Sequence, residues 1–119
     1  MVQSFKDLAV WEKSMELCER IYSLSDHFPA SEKYGLTSQI RRAAISIPSN
    51  IAEGSYRQTT KEFIQFLYIS NGSISEVETQ LELAKRFNYI NNSDIPIDLI
   101  KQIRKMITNL IKALKAKTT

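Results

Sequence analysis

The chain has 119 residues, room for one ordinary domain. With 43% hydrophobic and 24% charged residues but only 3 Gly and 3 Pro, it reads as globular and helix-favouring, which excludes a disordered or low-complexity protein. Net charge is +3 and no apolar run approaches the roughly 20 residues of a membrane span, so a membrane partner is not expected and any polyanion affinity must come from where the charges lie.

The opening "MVQSFKDLAVWEKSMEL" has no basic stretch followed by an apolar run, so it does not read as a secretory signal. A first helix is predicted over residues 5–26. Leu8, Trp11, Met15, Cys18 and Tyr22 recur at alternating steps of three and four, and Val10, Leu17, Ile21 and Leu24 widen that stripe. Ser4 with Asp7 resembles a capping box at its start. Cys18 is the lone cysteine. It cannot form an internal disulfide, which points to a reducing cytoplasm, and its place in the stripe reads as a core thiol rather than a nucleophile. The break "HFPASEKYG" holds the only histidine, His27, with no second ligand at metal-binding spacing.

The second helix is predicted over residues 34–55. Leu36, Ile40, Ala44, Ile47 and Ile51 keep a helical stripe straight through Pro48. A proline inside a helix removes one hydrogen bond and clashes with the carbonyl four residues earlier, here that of Ala44. A turn at Pro48 would break the register of the stripe, so the pattern predicts one helix kinked there, with packing offsetting the ~3 kcal/mol cost. Gly54 reads as a cap near its end.

A third helix over residues 60–87 is the clearest. Phe63, Leu67, Ser70, Ile74, Val77, Leu81 and Ala84 follow strict 4-3 spacing, and Thr59 with Glu62 forms a capping box. The fourth spans residues 95–116, with Asp94 as its expected cap, Pro96 in its first turn, and Ile100, Ile103, Ile107, Leu110 and Leu114 as its stripe. Four such helices with short connections predict an all-α, up-and-down four-helix bundle filling one domain, residues 1–119.

No motif supports catalysis. Glycines 35, 54 and 72 are too scattered for a phosphate loop, no Glu-x-x-His pair exists for a di-metal site, and no nucleophile elbow is present. Neither metal nor cofactor is expected. Glu78 and Glu82 read as partners of Lys85 and Arg86 on one helix face, and Glu76 and Glu78 could meet Arg41 or Arg57 across the bundle.

Two features exceed a generic bundle. Small polar residues, among them Ser46, Ser49 and Asn50, dominate the face of helix two opposite its stripe. "SNGSIS" on helix three adds Gly72 and Ser73, and an interior glycine costs about 1 kcal/mol relative to alanine. Close packing would account for both, either within one chain or against a neighbouring subunit. The second feature is charge. From Pro96 onward six basic residues face the single acid Asp98, and Lys101, Lys105, Lys112 and Lys115 share one face of helix four. A solvated helix face and a phosphate-binding surface both fit this pattern. Arg42 and Arg57 could extend such a surface, and Tyr56 and Tyr89 are the aromatics available for stacking.

"LAVWEKSMEL", "YGLTSQIRRAAISIPSNIAEG", "KEFIQFLYISNGSISEVETQLELA" and "KRFNYI" together resemble a bacterial family of four-helix bundle proteins related to those encoded in intervening sequences of 23S ribosomal RNA genes. The resemblance covers roughly residues 5–90, with helix four matching by pattern only. It implies an up-and-down bundle assembling as a ring-shaped homopentamer, a link with RNA, and no enzymatic activity. Distant relatives of similar architecture are accessory proteins that work with a reverse transcriptase. The expectation is therefore a non-enzymatic, cytoplasmic, oligomeric nucleic-acid-associated bundle. Its phosphate contacts would come from Lys101, Lys105, Lys112, Lys115, Arg42 and Arg57, and its subunit contacts from Ser46, Ser49, Asn50, Gly72 and Ser73. The alternative is a protein-interaction scaffold, for example for a polymerase or reverse transcriptase.

Overall fold

Helices α1 (Ala9–Ser25), α2 (Leu36–Ser55), α3 (Thr60–Arg86) and α4 (Ile97–Lys117) form a four-helix bundle. The structure, a computed structural model, describes residues 4–117, so residues 1–3 and 118–119 of the expected domain lie outside it. Among the described residues there is no strand. α2 packs chiefly on α1 and α3, and α4 on the same two helices, so α2 and α4 face each other across the diagonal. Successive helices meet in antiparallel register. Cys18 touches Ala44, Ser70 touches Ile47, and Arg104 reaches Asn71. Leu17, Ile21, Ile40, Ile47, Leu67, Ile74, Leu81, Ile103 and Ile107 fill the interior, each contributing about 1.5–3 kcal/mol by burial.

α1 departs from its predicted start and face. Ser4 caps only the 3-10 turn Phe5–Asp7, accepting from the Lys6 amide at 3.2 Å, and α1 begins at Ala9. Its buried face is Val10, Ser14, Leu17, Ile21 and Ser25, whereas Met15 and Tyr22, expected in the stripe, are exposed. The serines disguise that face. Ser14 and Ser25 donate to their own helix, to the carbonyls of Val10 at 2.7 Å and Tyr22 at 3.3 Å, so burying them leaves no hydroxyl unsatisfied.

α2 runs unbroken through a buried Pro48. The Ala44 carbonyl, which Pro48 cannot serve, instead accepts from the Cys18 thiol at 3.1 Å. Burial, helped by the nearby Glu19 charge, pushes the Cys18 pKa up to about 11 and keeps the donor proton in place at neutral pH. Cys18 is half-buried at the rim of the core rather than inside it. Gly54 does not cap α2. It is buried in the last turn, where a Cβ would sit 2.6 Å from Phe66 Cβ and 2.9 Å from Phe63 Cδ1, so α3 crosses here at glycine distance.

α3 begins as predicted. Thr59 Oγ1 accepts from the Glu62 amide at 3.1 Å. α4 starts directly after Pro96. Asp94 does not cap it but closes the preceding 3-10 turn, accepting from the Asn91 amide at 2.8 Å. At this end of the bundle Glu32 joins two connections. One carboxylate oxygen accepts from the Leu36 amide at 3.0 Å and the other from the Tyr89 hydroxyl at 2.7 Å. Both bonds hold the Glu32 carboxyl below its ordinary pKa, the backbone one most, and the carboxylate in turn raises that of Tyr89.

Candidate nucleic-acid interface

α4 turns its apolar stripe, Ile100, Ile103, Ile107 and Ile111, into the bundle, which leaves its opposite face to solvent. Lys101, Lys105, Lys112 and Lys115 are exposed on that face, spanning about 21 Å at 1.5 Å per residue. Among the described residues, no carboxylate pairs with Lys101, Lys105 or Lys112. Lys115 Nζ lies 5.5 Å from the ring centre of Tyr68 on α3, which places an exposed aromatic beside the basic row.

Arg104, on the same helix, is committed to the fold. Its guanidinium bonds Glu78 and reaches Asn71 Oδ1 at 3.4 Å, tying α4 to α3. The expected meeting of Glu78 with Arg41 or Arg57 therefore does not occur. Arg41 instead binds Asp26 at 2.7 Å, Ser25 Oγ at 2.8 Å and the Tyr22 carbonyl at 3.2 Å, closing the end of α1. Arg57 pairs with Glu53 at 3.7 Å and lies over Phe66. Glu82 does pair along its own helix, with Lys85 at 3.3 Å and Arg86 at 3.1 Å.

The four lysines share one face of α4, and the two arginines stand elsewhere. Arg42 sits on the outer side of α2, diagonally across the bundle, and Arg57 in the α2–α3 connection. Tyr89 is held by Glu32 and packs on Phe28 and Phe87, while Tyr56 meets Phe5 edge-on. The aromatic next to the lysines, Tyr68, was not singled out from sequence, because only the α3–α4 register brings it there.

The small polar residues lie mostly in the seam between α2 and α3. Ser73, buried, donates to Ser46 Oγ at 2.9 Å. Asn50 Nδ2 donates to the Ser46 carbonyl and hydroxyl at 2.8 and 2.9 Å. Ser70 donates to the Ile47 carbonyl at 2.9 Å. Ser46, Asn50 and Ser73 therefore have a role inside one chain. Ser49 instead faces an apolar groove of about 370 Å³ between α1 and α2, with Trp11, Met15, Ile45 and Pro48. Gly72 is exposed, and a Cβ there would meet nothing within 4 Å, so no contact within the chain explains that glycine.

Fold and surface together define a small all-helical bundle protein with one lysine-lined outer face. Within that class the chain belongs to the 23S rRNA-intervening sequence protein family, whose model matches residues 6–112. Its structure is similar to the crystal structure of a protein of unknown function from the S23 ribosomal protein family of Bacteroides thetaiotaomicron. That chain is 29% identical, with a TM-score of 0.65, over 91% of this chain and 96% of its own. No curated protein matches. Among the described residues, no helix is long and apolar enough to cross a membrane.

Proposed function

We propose that the protein is a non-enzymatic, cytoplasmic bundle that associates with RNA or other nucleic acid through the outer face of α4. The observation that carries this reading is the row of exposed lysines, three of which have no acidic partner among the described residues. Unpaired, aligned ammonium groups release counterions when they meet phosphate, and that release is the main sequence-independent source of nucleic-acid affinity. Membership in a family of 23S rRNA-intervening sequence proteins agrees with an RNA context. The proposal includes a ring-shaped homopentamer of up-and-down bundles, each bent at Pro48 of α2. Repetition of one weak basic face around a ring raises avidity without new contacts. Gly72 and Ser49, which the single chain leaves on its surface, remain available as subunit contacts.

The second reading is a protein scaffold. Its support is the apolar groove of Trp11, Met15, Ile45 and Pro48, a surface suited to an apolar side chain of a partner. Fluorescence anisotropy with a labelled 23S rRNA fragment and an unrelated RNA of equal length separates the two. The nucleic-acid reading expects submicromolar binding at low salt, strongly weakened when the four lysines become glutamine while the helical circular-dichroism signal stays. Absence of binding to either RNA at low salt would leave the scaffold.

A further inference from the structure

Arg42 lies far from the α4 lysines, and it has neighbours of a different kind. Along the start of α2 runs an open groove of about 520 Å³, lined by Tyr22, Lys33, Tyr34, Arg41, Arg42 and Ile45. That size falls within the range of ligand sites, roughly 300–1,000 Å³. Three cations share it. Arg41 is neutralised by Asp26, whereas the Arg42 side chain has no ion-pair or hydrogen-bond partner among the described residues. The aromatics are the unusual part. Tyr34 is 88% exposed and adds nothing to the core. Lys33 Nζ sits 5.4 Å from its ring centre, and the Arg41 guanidinium covers the ring of Tyr22 at 4.5 Å. Two cation–ring pairs thus line the groove, and Tyr34 leaves most of its ring to solvent.

We propose that this groove is a second site, separate from the α4 face, that binds a single-stranded nucleic acid by stacking an unpaired base on Tyr34 with Arg42 and Lys33 on the flanking phosphates. The chemistry selects this occupant. A duplex keeps its bases stacked on one another and would leave Tyr34 unused, and the carboxylates of an acidic peptide would meet the cations but leave the ring face bare. The two surfaces differ in proportion: a row of four lysines with Tyr68 at one end lines α4, whereas two tyrosines and three cations share the α2 groove.

The test uses the full chain and fluorescein-labelled hexauridylate and hexadeoxythymidylate at low salt, followed by anisotropy. Tyr34→Ala is expected to weaken binding about tenfold and Tyr34→Phe to leave it within about twofold, since the ring and not the hydroxyl stacks. An abasic hexamer of equal charge should lose about the same factor as Tyr34→Ala. The Tyr34→Ala loss should persist in a chain whose four α4 lysines are glutamine, which separates this site from the α4 face. Binding of both oligonucleotides assigns single strands in general, and binding of the uridylate alone assigns RNA. The proposal is overturned if Tyr34→Ala leaves affinity unchanged, if the abasic hexamer binds as well, or if hexaglutamate competes equally. Tyr34 is too exposed for its replacement to unfold the chain.

Discussion

In the seam between α2 and α3, polar groups meet polar groups of the same chain. Ser73 bonds Ser46, Asn50 bonds Ser46, and Ser70 bonds the Ile47 backbone. On the outer face of α4, Lys101, Lys105 and Lys112 meet no acid among the described residues. The seam is polar because two helices approach closely enough to need small side chains whose hydrogen bonds are satisfied locally. On the α4 face Lys101, Lys105 and Lys112 are exposed and meet no carboxylate among the described residues, so no neighbour in the fold accounts for their charge. What separates the two regions is where the hydrogen-bonding and charged groups find partners, not how polar the residues are.

The two helix glycines sharpen that contrast most. Gly54→Val places a branched side chain against Phe63 and Phe66, and overpacking of this kind costs about 1–3 kcal/mol or more. Thermal unfolding should therefore fall by several degrees, and an unchanged midpoint would show that α3 is not held at glycine distance. Next comes Ser70→Ala, which removes a buried donor from the Ile47 carbonyl. A loss of about 1 kcal/mol in urea unfolding is expected, and no loss would mean that the seam does not depend on its hydrogen bonds. Gly72→Ala runs the other way. With open space around it and an ordinary helical backbone, alanine should stabilise the helix by up to about 1 kcal/mol. If sedimentation instead shows that Gly72→Ala dissociates an oligomer, the glycine belongs to a subunit contact.

The smallest effect on stability at neutral pH concerns the thiol that serves the Ala44 carbonyl. Because the folded Cys18 pKa is raised to about 11 from 9.0, its contribution to stability is complete below pH 9 and is lost as pH rises from about 9 to 11. Alkylation at pH 7 should be about tenfold slower than for the denatured chain, since the thiolate reacts and its smaller fraction is partly offset by its greater nucleophilicity. Equal rates in the folded and denatured chain would contradict a thiol shielded by burial.

Much of this architecture is legible in the sequence, and the exceptions share a cause. The α3 stripe and its Thr59 cap could be read because every signal there is local. α2 could be followed through Pro48 because Ile47 and Ile51 keep the register. α1 misleads because buried Ser14 and Ser25 satisfy themselves and look like surface, while Met15 and Tyr22 look like core. The glycines exchange roles because the contact that explains Gly54 comes from Phe63 and Phe66 on another helix. Likewise the lysine row follows from helical spacing alone. The commitment of Arg104 to Glu78, the nearness of Tyr68 and the groove around Arg42 depend on how helices pair, which no single helix encodes.

If the α4 lysines contact phosphate, they set how steeply RNA binding weakens with salt. Each phosphate contact contributes about 0.7–0.9 to the slope of log affinity against log salt, depending on whether the nucleic acid is single- or double-stranded. Replacing Lys101, Lys105, Lys112 and Lys115 with glutamine should therefore flatten that slope by about 3 per chain. A variant that binds RNA with the same slope as the unaltered protein would contradict the account.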